Sequence, residues 1–342
     1  MVADLAPSAS ALIADTRTAG RAPNPKVAVV ISTYGHAKWL AATADAVLLQ
    51  DLAEELQLVV VDDASPDNTP DVMGGILDNL SRQSYAAPRS VTYVRLAGNR
   101  GPAVGRNVGI DHAQGEFIAF TDSDCVPTAA WLREALAAFS PRVGIVQGRT
   151  RASETRIPLF EHHIDTASLD GTFATANVVY RREALATARF DLRCWSPSWT
   201  MEDTELAWHV LEAGWEARFA ERALVLHRVI PLSARQWLAW PTRLRVFPAL
   251  VARHPAMRRH LLLGVWMRPL HLWFDLALVG ALAALWWPPA LLLVIPYVIA
   301  FLRSRSLRGR FPPAKAAAHV AWDAVSFATL VAFSLRHRAP VL

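Results

Sequence analysis

The sequence contains little cysteine: only Cys125 and Cys194 in 342 residues. Disulfide-stabilised folds need several cysteine pairs, and zinc sites built on cysteine need closely spaced pairs such as C-x-x-C. Neither pattern is present, so a disulfide framework is excluded as the basis of the fold. We expect the chain to function in a reducing compartment.

Charged residues are also scarce, at 19%, whereas hydrophobic residues make up 53% of the chain. An ordinary soluble domain has about 25% charged and roughly 45–50% apolar residues. The composition excludes a disordered chain, and the length predicts about two domains or one large domain with an appendage. Where the apolar excess lies decides between a soluble enzyme and a membrane-attached one.

The first residues lack the continuous apolar stretch of a secretory signal, because Asp4 and Asp15 interrupt a run rich in Ala, Ser and Pro. We expect residues 1–25 to form a flexible tail. The net charge is +5, but the basic residues lie beside apolar segments and do not form a stripe with interleaved aromatics. This distribution disfavours a nucleic-acid partner and favours anionic lipid or a phosphorylated ligand.

Short β-branched runs alternate with helical spacing from residue 26 onward. Strands are predicted over residues 26–32, 56–61, 91–96, 117–121 and 143–147. Strands separated by helices of this length predict a doubly wound, mostly parallel α/β sheet, in a domain that we place at residues 26–230. Ligands of such sheets bind at the carboxyl ends of the strands.

The later part of this domain is less regular. We expect a strand at 177–180, a helix at 182–188, a helix at 203–214, and two short strands at 217–220 and 223–226.

Beyond residue 230 the apolar excess is concentrated. Residues 231–260 mix Trp, Leu and Phe with arginines, which predicts an amphipathic segment at a lipid interface. Residues 261–342 are predicted to form a membrane region of two or three helices. Leu270–Trp287 and Ala290–Leu302 are expected to span, with a re-entrant hairpin as the alternative, and Ala316–Leu335 either spans or lies along the interface.

Basic clusters flank this hairpin, with Arg253, Arg258 and Arg259 before it and Arg303–Arg310 after it. By the positive-inside rule both flanks are cytoplasmic. The sequence therefore predicts a protein of the cell membrane with its catalytic domain on the cytoplasmic face.

Two acidic pairs are candidates for chemistry. Asp122 and Asp124 follow a buried strand, and they can reach one ligand if the backbone turns there. Their oxygen atoms suit Mg²⁺ or Mn²⁺, although a solvated turn explains D-x-D equally well. Glu202 and Asp203 open a predicted helix, where acidic side chains also simply favour the helix dipole.

Six segments taken together are much more specific than any one of them. In chain order they are VVISTYGHAKWL, VVVDDASPDNT, NRGPAVGRN, FIAFTDSDCVP, FATANVVYRREAL and MEDTELAWHVLEAGW. Their order and spacing over about residues 26–228 resemble the inverting glycosyltransferases of family 2. The resemblance implies the GT-A fold of nucleotide-diphospho-sugar transferases.

The resemblance implies a donor site. Tyr34, beside Thr33, would stack on the nucleotide base, and Asp63 would contact the base, with Asp62 a weaker candidate. Arg106 would face the nucleotide. Its motif reads G-R-N here, whereas A-R-N is common in the family.

The resemblance also implies a metal site. Asp122 would contact the ribose or metal-bound water, Asp124 would bind the metal, and His227 matches a further metal ligand of many relatives. The cofactor is therefore expected to be Mn²⁺ or Mg²⁺, and an imidazole ligand favours Mn²⁺.

Asp203 matches the family's catalytic base, which takes the proton of the acceptor hydroxyl in a single displacement. Glu202 is the alternative base, or else a structural or acceptor contact. His209 stands where the family often has arginine, a departure that affects a local salt bridge and not the chemistry.

The motif Q-x-x-R-W of processive polysaccharide synthases is incomplete. Gln236, Trp237 and Trp240 keep its frame without the arginine, which argues against a polymer-extruding enzyme. Trp195 and Trp199 could stack on a sugar or simply pack in the core.

The expected function is transfer of a single sugar from a nucleotide-diphosphate sugar to a hydroxyl acceptor that is lipid-linked, a glycan or a small molecule. Two alternatives remain open. One is a sugar-phosphate nucleotidyltransferase, which shares related sheets, and the other is a catalytically silent membrane scaffold.

Overall fold

A computed structural model describes residues 12–80, 82–155, 157–158, 160–192, 201–303 and 313–342, with side chains of the last range from residue 316 onward. The described residues form two compact units. The first contains most of the chain up to Ile230, and the second begins at Pro231 and also includes Ile157–His162.

The first unit is built on one large sheet. Its nine strands among the described residues are β1 (Ile13–Gly20), β2 (Val27–Thr33), β3 (Leu56–Asp62), β4 (Arg89–Leu96), β5 (Phe117–Phe120), β6 (Cys125–Pro127), β7 (Val143–Ala152), β9 (Val178–Arg181) and β10 (Glu216–His227). Two short strands, β8 (Glu161–His162) and β11 (Ile230–Pro231), form a separate two-stranded sheet.

The strand order is β1-β4-β3-β2-β5-β9-β7-β10-β6. β1, β9 and β6 run antiparallel to their neighbours, and the remaining pairs are parallel. The chain continues from β2 towards β3 on one side and later returns to β5 on the other. Such a switch point leaves a crevice at the carboxyl ends of the strands, where ligands bind.

Helices cover both faces of this sheet, which is why its central strands are apolar throughout. In β2, Val27, Val29 and Ile31 pack into one hydrophobic cluster, whereas Ala28 and Val30 pack into the other. The helices are α1 (Ala37–Leu48), α2 (Thr69–Leu80), α3 (Pro102–His112), α4 (Trp131–Leu136) and α5 (Glu202–Glu212). The predicted doubly wound, mostly parallel sheet is confirmed.

Three local expectations differ from the structure. Residues Ile13–Gly20 of the expected tail form edge strand β1, paired antiparallel with β4. The segment 182–188 contains only a 3₁₀ turn, Arg182–Leu185. The two short strands expected at 217–220 and 223–226 form one strand, β10, with a bulge between Ala220 and Leu224. β1 was not predicted because an edge strand exposed to solvent can be polar, and half of its residues are polar.

The second unit is helical. Its helices are α6 (Ala234–Ala239), α7 (Phe247–Arg253), α8 (Pro269–Ala283), α9 (Ile295–Arg303) and α10 (Pro313–His337), with 3₁₀ segments at Trp240–Val246, Pro255–His260 and Pro288–Val294.

One helix in the described ranges, Ala316–His337, is long and apolar enough to cross a membrane. The two segments expected to span are instead shorter apolar helices, Pro269–Ala283 and Pro288–Arg303. Prolines open the second of them in a 3₁₀ segment. In the long helix, the Asp323 carboxylate accepts a hydrogen bond from the Tyr297 hydroxyl at 2.7 Å, so this polar group is paired inside the unit.

The Gln and Trp frame near residue 236 has a structural use. The Gln236 amide and the Ser233 hydroxyl form a capping box at the start of α6. Trp237 is buried against Phe160 and Trp322. The partial likeness of this segment to the synthase motif is therefore explained by helix capping and by packing. Trp195 and Trp199 lie outside the described residues.

Candidate active site

A tight turn brings the two carboxylates of D-S-D together. The Cys125 N–H donates to the Asp122 carbonyl at 3.0 Å, so Ser123 and Asp124 occupy the middle of the turn. Helix α1 holds Ser123 from the other side, because the Thr43 hydroxyl donates to the Ser123 carbonyl at 2.9 Å. The backbone turn on which a shared ligand depends is thus present.

His227 ends strand β10 directly opposite Cys125 in the ladder with β6. Its Nδ1 lies 2.7 Å from the Arg228 carbonyl, which assigns the proton to Nδ1. Its Nε2 faces Asp124, at 3.9 Å from Oδ1. This is the tautomer that a metal-binding imidazole needs.

The ligand atoms of Asp122, Asp124, Cys125 and His227 all lie within 4.8 Å of one another. Burial, together with the Asp122 charge, raises the pKa of the Asp124 carboxyl. Two carboxylates and an imidazole fit Mn²⁺ or Mg²⁺ by donor type, with the nitrogen favouring Mn²⁺. A divalent cation would also relieve the repulsion between the two carboxylates.

Arg106 joins the D-S-D turn to the start of helix α5. Its Nη1 donates to Glu202 Oε1 at 2.5 Å, and its Nη2 donates to Asp122 Oδ1 at 3.2 Å. The guanidinium is largely buried between these carboxylates. Sequence reasoning expected Arg106 to face the nucleotide, and it did not foresee this bridge.

Steric crowding explains the glycine of the G-R-N motif. A Cβ at Gly105 would lie 2.2 Å from the Ser32 hydroxyl oxygen of β2. Helix α3 therefore approaches the strand closely at Gly105, and Arg106 follows at the edge of the crevice.

Asp203 lies at the first turn of α5, beside Glu202. Its Oδ1 accepts the Thr204 N–H at 2.8 Å, and its Oδ2 accepts the Thr175 N–H at 3.4 Å. Burial, and secondly the Glu202 charge, raise the pKa of the Asp203 carboxyl to about 7. The Thr204 hydroxyl donates to the Thr172 carbonyl at 2.7 Å, which ties the helix start to the loop before β9.

A second group lies at the ends of β2 and β3. The Asp63 N–H donates to the Thr33 carbonyl at 2.9 Å, and the Tyr34 side chain beyond it is 48% exposed. The two Asp63 oxygens accept the N–H groups of Arg100 and Gly101, each at 2.7 Å. Asp63 therefore anchors the loop that leads into α3, and burial raises the pKa of its carboxyl.

Asp62 is fully buried and has a structural role. Its carboxylate accepts the Tyr93 hydroxyl at 2.8 Å and forms an ion pair with Arg95. Asp62, the weaker candidate for a contact with the nucleotide base, is thus paired within the sheet.

Sequence reasoning missed two residues at the D-S-D turn. Cys125 was set aside because cysteine spacing in the chain fits no metal motif, although its position directly after D-S-D was a usable signal. His36 lies with its Nδ1 2.8 Å from the Ser123 hydroxyl. Nothing in the local sequence indicated that contact, because His36 and Ser123 are 87 residues apart in the chain.

Solved structures share the architecture. A mannosyltransferase from Pyrobaculum calidifontis in complex with GDP-Man and Mn²⁺ is 21% identical, with a TM-score of 0.53 over 92% of this chain and 87% of that one. Residues 1–349 of TarS from Staphylococcus aureus in complex with UDP are 18% identical, with a TM-score of 0.51 over 92% of both chains. At this level of identity the likeness shows the fold, which is GT-A.

The sequence comparison gives the family. The model of glycosyl transferase family 2 matches residues 28–200. The chain belongs to glycosyl transferase family 2, and the resemblance inferred from the six segments is confirmed.

Curated relatives include the pre-mycofactocin glycosyltransferase of Mycobacterium tuberculosis, 29% identical over 203 residues, which are 54% of this chain and 40% of that protein. The succinoglycan biosynthesis protein ExoO of Rhizobium meliloti is 31% identical over 147 residues, 43% of this chain and 35% of that protein. The chain thus spans less than half the length of either relative.

Proposed function

We propose that the protein is an inverting, metal-dependent glycosyltransferase. It moves a single sugar from a nucleotide-diphosphate sugar to a hydroxyl of a lipid-linked, glycan or small-molecule acceptor. The observation that carries the proposal is the bridge from Asp122 through Arg106 to Glu202. This bridge joins the candidate metal group to the start of helix α5, where Asp203 lies.

Asp124 and His227 are the proposed metal ligands, and Asp122 contacts the ribose or metal-bound water. A bound Mn²⁺ or Mg²⁺ would supply positive charge against the diphosphate leaving group. The mutual distances within 4.8 Å and the Nε2 of His227 facing Asp124 support this assignment. The mannosyltransferase of similar fold is in complex with Mn²⁺.

The donor nucleotide is proposed to lie at the ends of β2 and β3. The exposed Tyr34 ring offers a face for the base, with Thr33 and Asp63 beside it. Arg106, held by two carboxylates, contributes fixed positive charge near the diphosphate. The two solved neighbours are in complex with GDP-Man and with UDP.

Asp203 is the proposed general base. A carboxyl with a pKa of about 7 is well matched to taking a proton near neutral pH. Glu202 is a weaker candidate because its carboxylate is paired with Arg106 at 2.5 Å. One base opposite the leaving group is sufficient for a single displacement, which inverts the anomeric centre.

A screen of nucleotide sugars with Mn²⁺ tests the function. Release of nucleoside diphosphate supports glycosyl transfer. A requirement for a nucleoside triphosphate, with release of pyrophosphate, would indicate a nucleotidyltransferase. Absence of binding to any UDP- or GDP-sugar would favour the silent scaffold.

The base assignment has a direct test. Asp203→Asn is expected to abolish transfer, because the amide cannot accept the proton, while Mn²⁺-dependent donor binding is retained. Calorimetric donor titration and single-turnover rates measure the two effects. Glu212→Gln, at the other end of the same helix, is the matched control and is expected to keep its activity. Full activity of Asp203→Asn would contradict the assignment.

We also propose that the catalytic domain works at the cytoplasmic face of the cell membrane, with residues 231–260 at the lipid interface and residues 261–342 as the membrane region. The apolar helix Ala316–His337 supports attachment. So do the exposed side chains of Leu285, Trp286 and Trp287, which are 74%, 83% and 64% exposed. Tryptophan favours the headgroup level of a bilayer.

A further inference from the structure

Cys125 is a fully buried thiol whose position in the D-S-D turn the proposed transfer does not use. It is the first residue of β6 and pairs with His227 across the ladder, so the two side chains are neighbours on one face. The thiol is directed at Asp124, with Sγ 3.9 Å from Oδ1. The Nε2 of His227 lies 3.9 Å from the same oxygen.

The Cys125 sulfur and the His227 nitrogen thus lie at equal distances from the same Asp124 oxygen. Asp122 adds a further carboxylate, and all four ligand atoms lie within 4.8 Å of one another. With metal–ligand bonds of about 2.0–2.3 Å to nitrogen and sulfur, the ligand atoms of one tetrahedral ion lie about 3.3–3.8 Å apart. The side chains would therefore draw together by about 1 Å to bind a single ion.

The chemistry of this donor set is mixed. Mg²⁺ and Mn²⁺ prefer oxygen ligands, whereas thiolate and imidazole together favour Zn²⁺ and its thiophilic relatives. A site needed only for Mg²⁺ or Mn²⁺ has no use for sulfur among its ligands.

We propose that Cys125 makes this cluster a binding site for a thiophilic divalent ion of the zinc and cadmium class, held by Cys125, Asp124 and His227. On binding, the sulfur forms a bond to the ion and the thiol proton passes to solvent, without any change of oxidation state. The ion occupies the ligands that the hard cation would use. Inhibition of transfer by such ions rests on the proposed function, whereas their binding does not.

Titration of the chelator-treated full chain with Cd²⁺ tests the binding. The ultraviolet charge-transfer band of a cadmium thiolate is expected to saturate at one equivalent. Cys125→Ser is expected to lose the band, whereas Cys194→Ser, the matched control at the other cysteine, keeps it. A band that persists in Cys125→Ser, or disappears in Cys194→Ser, overturns the proposal.

Cys125→Ala serves as a second variant, since alanine suits a buried strand position better than serine, and circular dichroism verifies the fold of both.

Competition for the shared ligands is followed by the electron paramagnetic resonance signal of Mn²⁺ in the presence of nucleoside diphosphate. Zn²⁺ is expected to release Mn²⁺ from the wild-type chain, and Cys125→Ser is expected to retain Mn²⁺ at the same Zn²⁺ concentration. Failure of the two proposals is distinguishable. A cadmium band at Cys125 without turnover of any donor contradicts only the proposed function, whereas turnover without the band contradicts only the thiophilic site.

Discussion

Arg106 is the residue on which the connection between the two acidic groups depends. Its guanidinium contacts Asp122 and Glu202, and the Asp203 charge also acts on it. Lysine could not replace it, because a single ammonium cannot donate in two fixed directions to two carboxylates. The positive charge holds the carboxylates of Asp122 and Glu202 close to the Asp203 carboxyl before any ligand is bound.

The raised pKa of Asp203 predicts that activity depends on pH. Burial and the Glu202 charge favour the protonated form of its carboxyl up to about pH 7, and the proposed base is competent only when ionised. We expect kcat/KM to rise as pH increases through about 7 at saturating Mn²⁺. The pH profile of donor turnover measures this.

Glu202→Gln provides the control for that profile. Removing the neighbouring negative charge is expected to lower the pKa of Asp203, so the rise in activity moves to lower pH. A profile that stays in place in this variant would show that another group titrates.

Among the strands, the accuracy of the sequence-based prediction depends on how deeply each strand is buried. The parallel strands β2 and β3 are buried on both faces and read as mostly apolar runs, so they were predicted closely. The edge strand β1 is largely exposed, and because of its polar residues it was not predicted as a strand. Edge strands carry little hydrophobic pattern, because only one side is paired and solvent covers the rest.

The close packing of α3 on β2 gives a stability prediction. A Cβ at Gly109 would lie 2.2 Å from Val30 Cγ1, and a buried β-branched side chain has little freedom to rotate away. Gly109→Ala is expected to destabilise the protein by about 1–3 kcal/mol. Urea unfolding monitored by circular dichroism measures the change.

Gly75→Ala is the matched control, since Gly75 lies in helix α2 with open space around its Cα. There alanine is expected to be neutral or to stabilise by up to about 1 kcal/mol. Equal destabilisation by both substitutions would contradict the steric explanation.

The C-terminal helices give a second prediction at this scale. Removing residues 261–342 is expected to release the protein from membranes, because the exposed apolar side chains and the helix Ala316–His337 are lost. Flotation of vesicles with bound protein measures attachment, with circular dichroism as a check on folding. Continued sedimentation of the truncated chain with membranes in high salt would show that the anchor lies elsewhere.

At the scale of the whole molecule, the reversal of strand order between β2 and β5 opens the crevice at the strand ends. Asp63 follows β3, the D-S-D turn follows β5 and His227 ends β10, so three distant segments reach this edge. A ligand bound there would link parts of the chain that otherwise meet only through the sheet.

Binding at that edge should therefore stabilise the fold as a whole. Mn²⁺ with nucleoside diphosphate at about 100 times its Kd is expected to add about 2.7 kcal/mol to the free energy of unfolding. Thermal unfolding with and without both ligands measures this. Asp124→Asn is expected to lose the metal-dependent part, while Asp111→Asn on the exposed surface of α3 retains it. Equal stabilisation of the two variants would remove Asp124 from the metal site.

Most strands and helices of the central sheet, the GT-A fold and the family could be predicted from the sequence alone, because hydrophobic periodicity and local motifs are properties of neighbouring residues. The sequence also indicated which acidic residues would reach the strand ends. The partners of these residues could be identified only in the folded chain. Arg106 meets Glu202 across 96 residues of chain, and Cys125 meets His227 through the pairing of β6 with β10. Such contacts follow from strand order and register, which depend on packing across the whole sheet and leave no local pattern.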